Sequence, residues 1–173
     1  MTKRVLIFAS GEGTNFEAIV EYFKNKDVEF ELLCNVFGAN AFYRAKKLGI
    51  TSHYVRFSDT YDFLKDKKFD LYVLAGYMRI LPSKILDFGT FLNIHPSLLP
   101  DFKGANAIKS AFLSGVKQTG VSVHIVNEEI DSGEIIAQQK CVIEPDMTLC
   151  DLENKIHILE HRLYPRVIEE FLK

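Results

Sequence analysis

RVLIFASGEGTNFEAIVEYFK, running from Arg4 to Lys24, sets the architecture. Its first part, Arg4 to Ser10, is a short apolar run bounded by turn residues, as a strand buried on both faces is. From Asn15 onward, Phe16, Ile19, Val20 and Phe23 fall on one helical stripe. A buried strand that turns through Gly11 and Gly13 into an amphipathic helix opens a βα unit. Backbone N–H groups in such a turn, backed by the positive end of the helix, can cradle a phosphate. The dinucleotide fingerprint wants a third glycine where Phe16 stands, and the P-loop wants a Gly-Lys-Ser/Thr that is absent, so a monophosphate fits better. A plain strand-to-helix turn with Asn15 as its cap explains the same residues, and the stretch alone leaves both readings open.

The pattern then repeats. Phe30 to Asn35, Ser52 to Phe57, Leu71 to Gly76 and Phe91 to His95 read as further strands, and NAFYRAKKLG places Phe42, Ala45 and Leu48 on a helical stripe ahead of Gly49. Strands alternating with helices predict an α/β fold: an open, mostly parallel twisted sheet with helices on both faces, Rossmann-like, whose ligands collect at the carboxyl ends of the strands. VSVHIV alternates, with Val121, Val123 and Ile125 on one face, and EIIAQQKCVI follows the turn EIDSGE, which predicts an antiparallel strand pair near the C-terminal part. A long final helix is expected after Thr148, with Asp151 completing its cap and Leu149, Leu152, Ile156, Leu159 and Leu163 as its stripe. With no repeat or linker in the chain, one domain over 1–173 is expected.

Composition narrows the function. The 173 residues are 47% hydrophobic, enough for a full core, and 21 basic against 23 acidic residues give a net charge of −2 with no Lys/Arg block, which argues against a nucleic-acid binder. The apolar runs fall short of the roughly 20 residues a membrane helix needs, and MTKRVLIFAS turns polar too soon for a signal peptide, so a cytoplasmic protein is expected. Cys34, Cys141 and Cys150 match no zinc or redox spacing.

Three further stretches can carry chemistry. In NIHPSLLP, Asn93 and His95 share one face of a strand, and Pro96 and Pro100 stiffen its exit. LAGYMRILP keeps Met78, Ile80 and Leu81 apolar where a loop is usually polar, fit to line a pocket for a flat ligand or simply to pack under a helix. Asp131 in EIDSGE is an ordinary turn residue when taken alone. An amide and an imidazole side by side at a strand end, with a carboxylate from a neighbouring turn, can stabilise an oxyanion and relay a proton.

GEGTN, LAGYMRIL, NIHPSLLP, FKGANAI, TGVSVHIV and DSGEIIAQ together resemble the formyltransferase family that uses 10-formyltetrahydrofolate, over nearly the whole chain from Gly11 to Glu160. The GEGTN loop and the Glu160-His161 pair are most similar to the members acting on phosphoribosylglycinamide in purine synthesis. The resemblance implies direct attack of the substrate amine on the formyl carbon through a tetrahedral intermediate. The formyl donor is then a co-substrate and no metal takes part. It implies that Asn93 and His95 meet the formyl oxygen and that Asp131 favours the donating, charged form of His95. It assigns Gly13, Thr14 and Asn15 to the phosphate, Glu160 to the ribose hydroxyls, and Pro96 to the neighbourhood of the glycinamide. It assigns the folate to Met78, Arg79, Ile80, Leu81 and Asn93, with the backbone of Val126 to Ile130 along the pterin edge. The implied partners are small-molecule substrates, in a monomer or homodimer.

The chain departs from the family in places. Asn106 and Ile108 stand where some relatives carry histidines, and Ser58 stands near the place of an arginine that reaches the folate tail, with Arg56 as a possible substitute. A formyltetrahydrofolate hydrolase would use the same His95 and Asp131 but has no need of GEGTN, and a phosphate-binding sensor has no need of Asn93, His95 and Asp131.

Overall fold

The structure, a computed structural model, describes residues 2–173. Strands β1 (Lys3–Ala9), β2 (Val28–Cys34), β3 (Thr51–Tyr54), β4 (Leu71–Leu74) and β5 (Phe91–His95) run parallel, while β6 (Gln118–Ile125) and β7 (Ile135–Val142) add two antiparallel strands. Among the described residues they make one sheet, ordered β3-β2-β1-β4-β5-β6-β7. The chain winds outward from β1 to β3 and then restarts on the other side of β1 with β4. The crevice between the carboxyl ends of β1 and β4 is therefore a topological switch point, where open sheets bind ligands. Helices α1 (Thr14–Tyr22), α2 (Asn40–Leu48), α3 (Thr60–Leu64), α4 (Ser83–Leu86), α5 (Ala107–Ser114) and α6 (Leu149–Leu172) cover the sheet.

The two-residue period of the strands sorts the core. Val5, Ile7 and Ala9 pack with Phe16 and Ile19 of α1, Ala41 and Ala45 of α2 and Tyr164 and Ile168 of α6, whereas Leu6 and Phe8 face Leu64 and Ile85 in the opposite layer. On β5, Leu92 and Ile94 join the first layer and Phe91 the second, so Asn93 and His95 stand on the face of Phe91.

Several boundaries differ from the sequence expectation. β3 ends at Tyr54 rather than Phe57, because its partner β2 ends at Cys34, opposite Tyr54, and the ladder has nothing further to pair with. The buried face of α2 is Ala41 and Ala45; Phe42 and Leu48 are only half-buried. Thr148 and Asp151 do form a reciprocal cap, with Asp151 N–H donating to Thr148 Oγ1 at 3.2 Å and Thr148 N–H donating to the Asp151 carboxylate at 2.9 Å. Below it the buried ridge of α6 follows i, i+4 through Leu152, Ile156, Glu160, Tyr164 and Ile168, and leaves Leu159 and Leu163 half-buried.

Tyr164 ties α6 to the sheet near the site. Its side chain is fully buried and its hydroxyl hydrogen is shared between the carbonyls of Leu74 and Leu92, each at 2.9 Å. Tyr164→Phe keeps the ring and removes that donor, so equilibrium denaturation should show a loss of about 1–3 kcal/mol.

Candidate active site

A cavity of about 530 Å³ opens at the carboxyl ends of β1, β4 and β5. Its walls bring together the residues assigned above to catalysis, the ribonucleotide and the folate, but not Arg56. Gly13, Thr14 and Asn15 come from the first loop, Met78, Arg79, Ile80 and Leu81 from the segment after β4, and Asn93, His95 and Pro96 from β5 and its exit. Val126, Ile130 and Asp131 come from the loop after β6, and Glu160 from α6. A hollow of about 690 Å³ at the opposite end of the sheet has none of these; Arg4, Lys26 and Lys47 on its wall are paired with Glu31, Glu169 and Glu17. Open sheets bind ligands at the carboxyl ends, and the smaller cavity is the one placed there.

At its centre, β5 and β6 lie antiparallel with Asn93 opposite His124 and His95 opposite Ser122. Directly opposed residues point to the same face, so His124 joins the pair as a third polar side chain. The alternation of VSVHIV had already put Val121 and Val123 on one face and hence Ser122 and His124 on the other, but one strand read alone does not say which strand it will face. His124 Nδ1–H donates to the Ile125 carbonyl at 3.0 Å, and Nε2 accepts from the Asn93 amide at 3.1 Å; a second proton, on Nε2, would instead face Asp131 Oδ1 at 3.6 Å. Donating one hydrogen to His124 leaves Asn93 its second N–H.

His95 is 5% exposed, with Nδ1 3.3 Å from Asp131 Oδ2 and Nε2 donating to the Phe102 carbonyl at 2.8 Å. Asp131 Oδ2 also accepts the Gly104 N–H at 2.8 Å. Burial pushes the Asp131 carboxyl up, but His124, the Gly104 N–H and His95 together outweigh it and hold Asp131 below its ordinary value. The loop reaches this place by close contact: a Cβ on Gly133 would lie 1.6 Å from the Ile125 oxygen and 3.3 Å from His124 Nδ1. Asp131 itself takes a left-handed φ of 48°, as does Phe102 with 53°, so both partners of His95 sit on strained backbone. The stiff exit expected from Pro96 and Pro100 is reinforced by Ser122, whose hydroxyl donates to the Ser97 carbonyl at 2.7 Å and accepts the Leu99 N–H at 3.0 Å.

The GEGTN loop is held from behind. The Gly11 carbonyl accepts Ala41 N–H at 3.0 Å, the Glu12 carbonyl accepts Arg44 Nε–H at 2.7 Å, and the Gly13 carbonyl accepts Glu17 N–H at 3.0 Å. Among the described residues, no acceptor meets the N–H groups of Glu12, Gly13, Thr14 or Asn15. That is the arrangement of an anion cradle. Gly13 has φ +73°, and a Cβ there would come within 2.9 Å of Ala41. Asn15 is not the cap of α1: Gly13 holds that position without a side-chain bond, and Asn15, one residue inside the helix, has a buried Oδ1 with no partner.

Glu160 is 5% exposed, and its Oε2 accepts the His157 Nδ1–H at 2.9 Å, so Oε1 faces no such competitor. That bond, against the opposing effect of burial, holds His157 above its ordinary value. Beyond β4, Leu81 is buried in the core while Met78 and Ile80 are exposed on the cavity wall. Arg79 lies 5.8 Å over the Phe57 ring, whereas Arg56 is tied to Asp59 at 2.7 Å and lies off the wall. Among the described residues, no group of three or more His, Cys, Asp or Glu side chains is arranged to hold a metal ion, and no helix is long and apolar enough to cross a membrane.

The model of the family described as "Formyl transferase" matches residues 3–168. The chain belongs to the formyl transferase family. The phosphoribosylglycinamide formyltransferase of Bacillus subtilis is 39% identical over 98% of this chain and 95% of its own. Among solved structures, the glycinamide ribonucleotide transformylase 1 of Geobacillus kaustophilus superposes with a TM-score of 0.93 at 39% identity and full coverage of both chains. The phosphoribosylglycinamide formyltransferase of Bacillus halodurans does so with 0.92 at 41% identity, covering 99% of this chain and 96% of that one.

Two outcomes follow for this formyl transferase. Gly133→Ala should leave the helical circular dichroism intact yet lower turnover by at least about tenfold, since the added carbon forces the loop of Asp131 off β6. Because the folded-state value of Asp131 lies below its unfolded value of about 3.9, its contribution to stability is complete above that pH and is lost as pH falls through the folded value. Urea unfolding of Asp131→Asn between pH 6 and pH 3, a range of about three units around that value, should lack this increment.

Proposed function

We propose that the cavity transfers the formyl group of 10-formyltetrahydrofolate to the amine of phosphoribosylglycinamide, the compound that similar proteins are named as formylating. The observation that carries the reading is a single cavity with an anion cradle at one end and Asn93, His95, His124 and Asp131 at the other. The N–H groups of Glu12 to Asn15 take the phosphate, and Glu160 Oε1 takes a ribose hydroxyl. Pro96 walls the glycinamide. The exposed Met78 and Ile80, with Leu81 and Arg79, flank the folate, whose pterin edge runs along Val126 to Ile130.

The amine nitrogen bonds to the formyl carbon, and the carbonyl oxygen becomes an anion. The C–N10 bond then breaks, with the amine proton passing to N10. The second N–H of Asn93 is the ready donor to that anion. The Nε2–H of His95 rests on the Phe102 carbonyl; the anion is a stronger acceptor than a neutral carbonyl, so this hydrogen turns to it as charge develops. A donor recruited in this way stabilises the transition state more than the bound substrate, and one such contact is worth about 3 kcal/mol of barrier. Asp131, fixed by the Gly104 N–H 3.3 Å from His95 Nδ1, is the carboxylate beside the reacting groups and relays the amine proton.

Purified protein should consume 10-formyltetrahydrofolate only when phosphoribosylglycinamide is present, and His95→Ala should lower kcat by about 10²–10⁴. Equal folate turnover without the ribonucleotide would indicate a hydrolase; binding without turnover would indicate a sensor.

A further inference from the structure

Arg44 lies outside the cavity, yet its guanidinium holds the wall that receives the phosphate. It stands on α2, its Nε–H donates to the Glu12 carbonyl at 2.7 Å, and Nη1 pairs with the Glu17 carboxylate on α1. One planar fork thus joins the loop between β1 and α1 to both helices. A trans peptide is flat, with its C=O and N–H pointing in opposite directions. Fixing the Glu12 carbonyl toward α2 therefore turns the N–H of Gly13 the other way, and the Ala41 N–H on the Gly11 carbonyl does the same for the N–H of Glu12.

We infer that Arg44 is a positioning residue for the phosphate cradle: it orients the Glu12–Gly13 peptide from behind rather than attracting the phosphate by its charge. The charge is not free to act on the phosphate, because the Glu17 carboxylate pairs with the same guanidinium. Glu12 carries a second acid into the loop, and Asn40 on α2 engages both its carboxylate oxygens, at 3.0 and 2.9 Å. A cradle with two carboxylates close by works through aimed N–H groups, and those must be held still. Gly13 leaves no slack, since even a methyl group there would strike Ala41. The arrangement calls for an arginine, because a lysine ammonium has no rigid fork to span two acceptors.

The inference rests on the ribonucleotide reading of the site. Its test compares Arg44→Met and Arg44→Lys with the wild type on phosphoribosylglycinamide and on the same compound without its 5′-phosphate, at saturating formyl donor. For the phosphorylated substrate, both variants should raise KM by about tenfold with kcat within about twofold, the size expected for one charge-assisted bond. For the dephosphorylated compound, kcat/KM should match the wild type within about twofold, since the penalty acts through the phosphate alone. Recovery of the wild-type KM by Arg44→Lys would overturn the inference in favour of charge, and an equal penalty on both substrates would reduce Arg44 to a general structural role. Should Arg44→Met fail to fold, Arg44→Lys carries the comparison by itself. Absence of turnover by the wild type would instead contradict the ribonucleotide reading; inorganic phosphate binding, followed by amide chemical shifts of Gly13 and Thr14, then decides the role of Arg44, with weaker binding by the variants supporting it and equal binding refuting it.

Discussion

The carboxylate of Asp131 lies 3.3 Å from His95 and 3.6 Å from His124 and accepts the Gly104 N–H, and the polar end of the cavity is organised around it. A buried carboxylate is costly unless its charge is compensated. Here the polar contact of His124, the Gly104 N–H and the polar contact of His95 outweigh burial and hold the carboxyl below its ordinary value. Reaching this position requires the reversal of direction at β6, the passage of Gly133 against the Ile125 carbonyl and a left-handed backbone at Asp131 itself. Such strain persists only where the surroundings over-determine it.

The sheet does the rest of the positioning. Because β1 and β4 are neighbours across the switch point, the free N–H groups of the first loop and the apolar segment after Gly76 meet at one crevice, and β5 beside them brings Asn93 and His95 to its edge. Hydrogen bonds lock these pieces together: Ser10 N–H donates to the Gly76 carbonyl, the Ser10 hydroxyl accepts the Met78 N–H, and Tyr164 bridges β4 and β5. Met78 and Ile80 are exposed where a flat ligand would lie, while His95, His124 and Glu160 are buried and hydrogen-bonded.

Much of this was legible in the sequence, for physical reasons that also mark the limits. Strand periodicity placed Asn93 and His95 on one face, and apolar runs bounded by turn residues gave five parallel strands, with boundaries that shift by up to about three residues, as at Val28, Tyr54 and Leu74. His124 was visible as a polar residue in an alternating strand, but its role depends on the register Asn93 opposite His124, which is a property of two strands. The Phe102 carbonyl and the Glu12 carbonyl were beyond reach because backbone acceptors leave no signature in side-chain patterns. Asn15 looked like a cap because its type favours caps; a glycine in the left-handed region took that position instead, and the asparagine was left facing the cavity.

The central claim is that the formyl group passes directly to the amine within one cavity, without release to water. Turnover in ¹⁸O-labelled water with both substrates tests it most directly. The account predicts a formylated ribonucleotide that carries no oxygen from water and no accumulation of free formate. Labelled oxygen in that product, or formate released as fast without the ribonucleotide as with it, would contradict it.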